Sequence, residues 1–165
     1  MGLKWADLEL KKGTLSVRRS LRVDKDGAYY TEGKRDRSRR RIELGAGTVG
    51  ALRAHRKRQL EERVRYADLW EDNGLVFCQK DGRPVHRWNL EREFYKLLKR
   101  AGLPKITFHG LRHTCASLML LNNTPAKVVS EMLGHANVAF TLKVYSHVLP
   151  GMQRSAADGM DEMLF

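Results

Sequence analysis

Long apolar runs are missing from this 165-residue chain, and without one no helix can cross a bilayer. The start, Met1-Gly2-Leu3-Lys4-Trp5, lacks the layout of a secretory signal. Cysteine is scarce. Cys78 and Cys115 lie far apart with no CxxC pattern, which argues against a disulfide framework or a cysteine zinc site and suits a reducing cytosol. Acidic charge is also short, with 19 Asp and Glu against 31 Lys and Arg. The resulting formal charge of +12 favours a polyanionic partner, and nucleic acid is the first to consider. A cytoplasmic protein associated with the bacterial nucleoid is therefore expected. A surface charge that serves only solubility is the plain alternative, and the distribution of the charges has to decide.

The apolar fraction of 42% fits an ordinary globular domain, and a single domain over 1–165 is expected. Residues 13–23 alternate apolar and polar side chains (Leu15, Val17, Leu21, Val23) and predict a strand. A second strand is expected at 28–31 and a third at 39–44, making a small antiparallel sheet within 1–45. Residues 48–65 predict a basic surface helix, with Val49, Leu52, Leu60 and Val64 recurring near helical spacing. A short strand at 75–78 and a turn at 81–84 precede a helix capped by Asn89, with Leu90, Phe94, Leu97 and Leu98 inward and Gly102 beyond its end. Further helices are expected at 109–121, from an N-cap at Thr124 to Gly134, and over 139–147. The fold class is thus α+β, mainly α, with a helical region over 46–150. The tail, 151–165, carries three acidic residues to one basic and ends in Met160, Met163, Leu164 and Phe165, which suits docking on protein rather than on DNA.

His109, Arg112 and His113 stand at i, i+3 and i+4, so one helical face presents all three, with Leu111 and Cys115 expected inward. Leu133-Gly134-His135 places a histidine just past a helix stop. Thr141 and Tyr145-Ser146-His147 follow. Each residue has an ordinary structural use. A tyrosine at helical spacing packs in a core, Arg112 can pair with a carboxylate, and His135 can cap a helix C-terminus. His109 and His113 could also ligate zinc, but the Glu of an HExxH pattern is absent and no third ligand is obvious.

The ordered set His-x-x-Arg-His, Leu-Gly-His, and a tyrosine ten residues later followed by Ser-His resembles the C-terminal signature of the tyrosine recombinase (phage integrase) family. The resemblance extends to Gly13-Thr14-Leu15-Ser16-Val17, Phe77-Cys78-x-x-Asp81-Gly82-Arg83-Pro84, residues 98–104 and residues 127–135, and so covers nearly the whole chain. It implies a helical catalytic domain with a small sheet, acting on double-stranded DNA without metal or cofactor. It also implies roles for individual residues. Tyr145 would attack a phosphodiester and form a 3′-phosphotyrosyl link. Arg112 would grip the nonbridging oxygens, His135 would donate a second hydrogen bond there, and His109 would serve as general acid/base. Lys34 falls in the turn where the family carries a lysine that protonates the leaving 5′-oxygen, although Asp36 takes that place in another alignment. His113 is expected to be structural. Arg35, Arg37, Arg39, Arg40, Arg41, Arg53, Arg56 and Lys57 are the expected DNA-contacting residues, with a merely solvated basic face as the alternative.

The family also has an earlier catalytic arginine, upstream of the stretch matching Leu3 to Leu8. The resemblance therefore implies a partial catalytic domain, weak or inactive by itself, and self-association on DNA through the tail. A noncatalytic DNA-binding remnant is the alternative.

Overall fold

The computed structural model describes the chain except residues 1, 25–26, 33–38, 136, 146–151 and 165. The chain divides into two compact units, Met1–Lys105 and Ile106–Phe165.

The first unit begins with a 3-10 turn, Trp5–Asp7, and five strands: β1 Leu8–Glu9, β2 Thr14–Val17, β3 Arg19–Asp24, β4 Gly27–Glu32 and β5 Arg40–Glu43. All pairings are antiparallel. β1, β2 and β5 form one sheet in that order, and β3 and β4 form a separate hairpin. The single strand expected over 13–23 is therefore two strands in two sheets. Alternation runs through both, but the partner changes at Arg18: Val17 pairs with Arg40 while Arg19 pairs with Glu32. Gly13, at φ 66°, makes the turn between β1 and β2, a left-handed conformation that suits glycine.

α1 spans Ala46–Tyr66, and a 3-10 turn follows at Ala67–Leu69. Its expected apolar stripe is not what buries it. Val49 is buried, but Leu60 and Val64 are exposed, and α1 is anchored instead by Gln59. The Gln59 amide accepts from Trp5 Nε1 at 2.6 Å and donates to the Leu75 and Val76 carbonyls at 3.1 and 3.2 Å. A buried polar side chain is tolerable because its amide is paired on both sides. Residues 75–78 form isolated bridges, Lys4 with Leu75 and Cys78 with Pro84, rather than a strand. α2 spans Arg87–Arg100 with His86 as N-cap, so Asn89 lies inside the helix instead of capping it, and Leu97 faces solvent while Leu98 is buried. Gly102, at φ 65°, follows the end of α2 as expected.

The second unit is helical: α3 Phe108–Leu121, α4 Ala126–Leu133, α5 Val138–Tyr145 and α6 Met152–Leu164. The N-cap of α4 is Pro125 rather than Thr124. Its core joins Ala116 and Leu120 of α3, Val129 of α4 and Tyr145 of α5, with Met119, Ala126, Leu133 and Val144 packed around them. Leu111 and Cys115, expected inward, are exposed, because the buried side of α3 runs through Ala116 and Leu120 instead. The tail is a helix, whose Met160, Met163 and Leu164 are exposed.

Candidate active site

Local chemistry sets α3 first. The Thr107 hydroxyl accepts a hydrogen bond from the Gly110 backbone N–H at 3.0 Å, satisfying one of the unpaired donors of the first turn. That cap places His109 in the first turn and puts Arg112 and His113 one turn later. The His109 and His113 rings meet edge to face, with centroids 4.7 Å apart.

α4 stops where Gly134 takes φ 70° and ψ 40°, and the His135 N–H reaches back to the Ser130 carbonyl at 2.9 Å. This is a Schellman-type end, which needs a left-handed residue and so selects glycine. His135 is thereby held immediately beyond the helix. Its Nδ1 lies 2.8 Å from the hydroxyl of Thr141, a residue with no solvent exposure, and the Phe140 ring stands edge-on at 5.0 Å.

Thr141 and Tyr145 are four residues apart on α5, hence on one face of the helix, and both are buried. Tyr145 is only 2% exposed, and its hydroxyl lies 2.7 Å from His113 Nδ1, with the two rings 5.7 Å apart. Burial pushes the phenol above its ordinary value near 10; the Arg112 guanidinium works against that shift and Cys115 adds slightly to it. A phenol oxygen can donate or accept, so the direction of this bond is set by the imidazole tautomer; with the ring proton on Nε2, His113 Nδ1 accepts from the phenol. Among the described residues, Arg112 has no carboxylate within ion-pair distance, and its charge acts on Tyr145.

The second unit thus links His109, His113, Arg112 and Tyr145, and separately links His135 to Thr141. The partner of Tyr145 that the structure records is His113, for which the sequence suggested only a structural part. No spacing rule connects positions 113 and 145; tertiary packing of α3 against α5 makes that contact. The Thr141 contact likewise had no assigned role in the sequence.

The basic positions lie in the first unit. Arg39, Arg40 and Arg41 line a groove with Ser16, Val17, Arg18 and Arg19. Arg53 donates to the Leu10 carbonyl at 3.2 Å, Arg56 stands over the Trp5 ring at 5.2 Å, and Lys57 is exposed. Lys34, Arg35, Asp36 and Arg37 lie outside the described residues, as do Ser146 and His147.

The model of the phage integrase family matches residues 1–152. The chain belongs to this family, that of the tyrosine recombinases. A tyrosine recombinase XerC-like protein of Caldanaerobacter subterraneus is 32% identical over 99% of the chain and 45% of its own length. The integrase of Staphylococcus phage L54a is 24% identical over the full chain and 48% of its own length. The chain spans less than half the length of these relatives. Among solved structures, the Tn1549 transposon integrase in complex with circular intermediate DNA superposes with a TM-score of 0.77 at 21% identity, over 96% of this chain and 53% of that one. The XerA recombinase superposes with a TM-score of 0.68 at 26% identity, over 96% and 50%. The expected class, helical with a small antiparallel sheet near the N-terminus, agrees with these neighbours. No helix among the described residues is long and apolar enough to cross a membrane.

Proposed function

We propose that this chain carries the strand-cleaving and rejoining chemistry of a site-specific DNA recombinase of the integrase type. The observation that carries the reading is the 2.7 Å contact between the Tyr145 hydroxyl and His113, set beside His109 and Arg112 on α3. In the reaction, a bond forms between the Tyr145 oxygen and phosphorus as the bond from phosphorus to the 5′-oxygen breaks. The phenol proton passes to His113, the base already in contact with it, and His109, edge-on to that ring and exposed, is open to further proton exchange. Arg112 places a planar, permanently charged fork on the nonbridging oxygens, and His135, steadied by Thr141, adds a hydrogen bond to them. Lys34 is the proposed donor of a proton to the 5′-oxygen. Reversal with a second 5′-hydroxyl rejoins the strand, so the phosphotyrosyl bond keeps the energy and no external co-reactant is required.

Double-stranded DNA inside the bacterial cytoplasm is the proposed substrate, contacted through Arg35 to Arg41 and through Arg53, Arg56 and Lys57 on α1. The exposed apolar residues of α6 suit docking on a second copy bound to the same DNA. One observation favours a second reading, a DNA-binding remnant without chemistry: Tyr145 is almost wholly buried.

The test mixes the chain, and a version extended to the length of its curated relatives, with nicked duplexes from the ends of the parent element and looks for a covalent protein–DNA band. A band from the extended version that disappears in Tyr145→Phe is expected. Salt-sensitive DNA binding with no band from either version would favour the remnant.

A further inference from the structure

Thr114 and Thr141 both lie inside helices of the second unit, yet they use their hydroxyls differently. Thr114 gives its proton to the Gly110 carbonyl one turn back on α3, at 3.0 Å, the ordinary outlet for a helical threonine. Among the described residues, the hydroxyl of Thr141 has a single hydrogen-bond partner, His135 Nδ1 at 2.8 Å. Thr141 has no solvent exposure, so water offers its proton no second acceptor.

That burial sets the direction of the bond. A hydroxyl can donate or accept, and a neutral imidazole has one protonated and one bare nitrogen. If Nδ1 carried the ring proton, it would donate to the Thr141 oxygen and leave the hydroxyl proton buried with nothing to accept it, an arrangement that folded proteins avoid. With the ring proton on Nε2, the hydroxyl donates to bare Nδ1 and both groups are satisfied. The histidine is held from other sides as well. Its backbone N–H donates to the Ser130 carbonyl at 2.9 Å, and the Phe140 ring stands edge-on at 5.0 Å. The orientation of the ring and the nitrogen that bears its proton are thus fixed together, by a residue on the helix that carries Tyr145.

We infer that Thr141 is a positioning residue whose hydroxyl proton holds the His135 imidazole as the Nε2–H tautomer, which makes His135 a hydrogen-bond donor to a phosphate oxygen and not a base. The phosphate rests on the proposed recombinase reading; the tautomer does not. Negative charge builds on the nonbridging oxygens as the nucleophile attacks, and only a nitrogen that bears a proton stabilises it. A bare nitrogen in that place would oppose it. Thr141 acts through the ring and does not touch the DNA.

The experiment reads, by nuclear magnetic resonance of isotopically labelled histidine, which ring nitrogen of neutral His135 is protonated, its signals being those that vanish in His135→Ala. Nε2 is expected in the parent and in Thr141→Ser, and a mixture of the two tautomers in Thr141→Val. The same variants, in the version extended to the length of the curated relatives and with circular dichroism unchanged, are then followed for the rate of covalent product on a nicked duplex. His135→Ala should lose about 10²–10³-fold, as removal of a donor to a developing oxyanion does. Thr141→Val should lose about tenfold, in line with loss of the outer partner of a functional histidine, and Thr141→Ser should recover the parent rate. Thr141→Val should cost nothing further in the His135→Ala background, whereas a threonine that only supported the fold would cost the same in both. A parent protonated on Nδ1 would overturn the inference, as would a folded Thr141→Val that keeps the parent's tautomer or its rate. The parent spectrum needs no variant at position 141, so it decides even if Thr141→Val fails to fold. Nε2 protonation without a covalent band from any of the proteins would leave the hold of Thr141 on the ring standing and remove the recombinase reading; a band from a parent protonated on Nδ1 would do the reverse.

Discussion

Replacing His113 by leucine should destabilise the second unit more than removing the Tyr145 hydroxyl does. In His113→Leu the phenol, 2% exposed, loses the acceptor that stands 2.7 Å away, and water has little access to replace it. A buried donor left unpaired costs about 1–3 kcal/mol. In Tyr145→Phe the orphan is instead His113 Nδ1, on a half-buried ring that solvent can reach, so the loss should be nearer about 1 kcal/mol. The double variant has neither orphan, so its loss should fall short of the sum of the two single losses, with a coupling in the range of about 0.5–3 kcal/mol. In a unit of this size each kcal/mol moves the melting temperature by about 4–8 °C, so all four proteins are distinguishable by thermal unfolding followed by circular dichroism. A coupling of zero, or a larger loss from Tyr145→Phe than from His113→Leu, would refute the contact and with it the assignment of His113 as first proton acceptor.

The raised titration of Tyr145 carries a signed consequence. Burial favours the neutral phenol in the folded state, so its contribution is fully present below the unfolded value near 10 and is lost as pH rises through the higher folded value; stability of the parent should fall across that alkaline window more steeply than that of Tyr145→Phe, as urea melts at several pH values would record. Gly134→Ala forces a side chain into φ 70°, at a cost of about 1–2 kcal/mol, and should loosen the Ser130–His135 turn; the nuclear magnetic resonance signals of His135 should shift while those of His113 do not.

Much of the second unit was legible in the sequence because its signals are local. The stop at Gly134 follows from what a left-handed helix end demands, and the shared face of His109, Arg112 and His113 follows from helical spacing. The first unit was less legible. Alternation over residues 13–23 correctly marks extended chain, yet a period of two says nothing about which strand lies alongside, so the change of sheet at Arg18 was invisible. On α1 the apolar spacing pointed to Leu60 and Val64, whereas Gln59 is the buried anchor, because its amide matches the polar groups of Trp5 and of residues 75–76 and that match depends on where those groups sit in space.

The order of His109, Arg112, His135 and Tyr145 along the chain determined the family, since that combination of a guanidinium, imidazoles and a phenol survives as a pattern without any coordinates. Pairing was decided by packing. That Tyr145 meets His113 across 32 positions, that Thr141 steadies His135, and that buried Asp7 pairs with Arg19 are contacts between elements brought together only when the apolar core closes, and side-chain hydrogen bonds at such separations leave no periodic trace in a sequence.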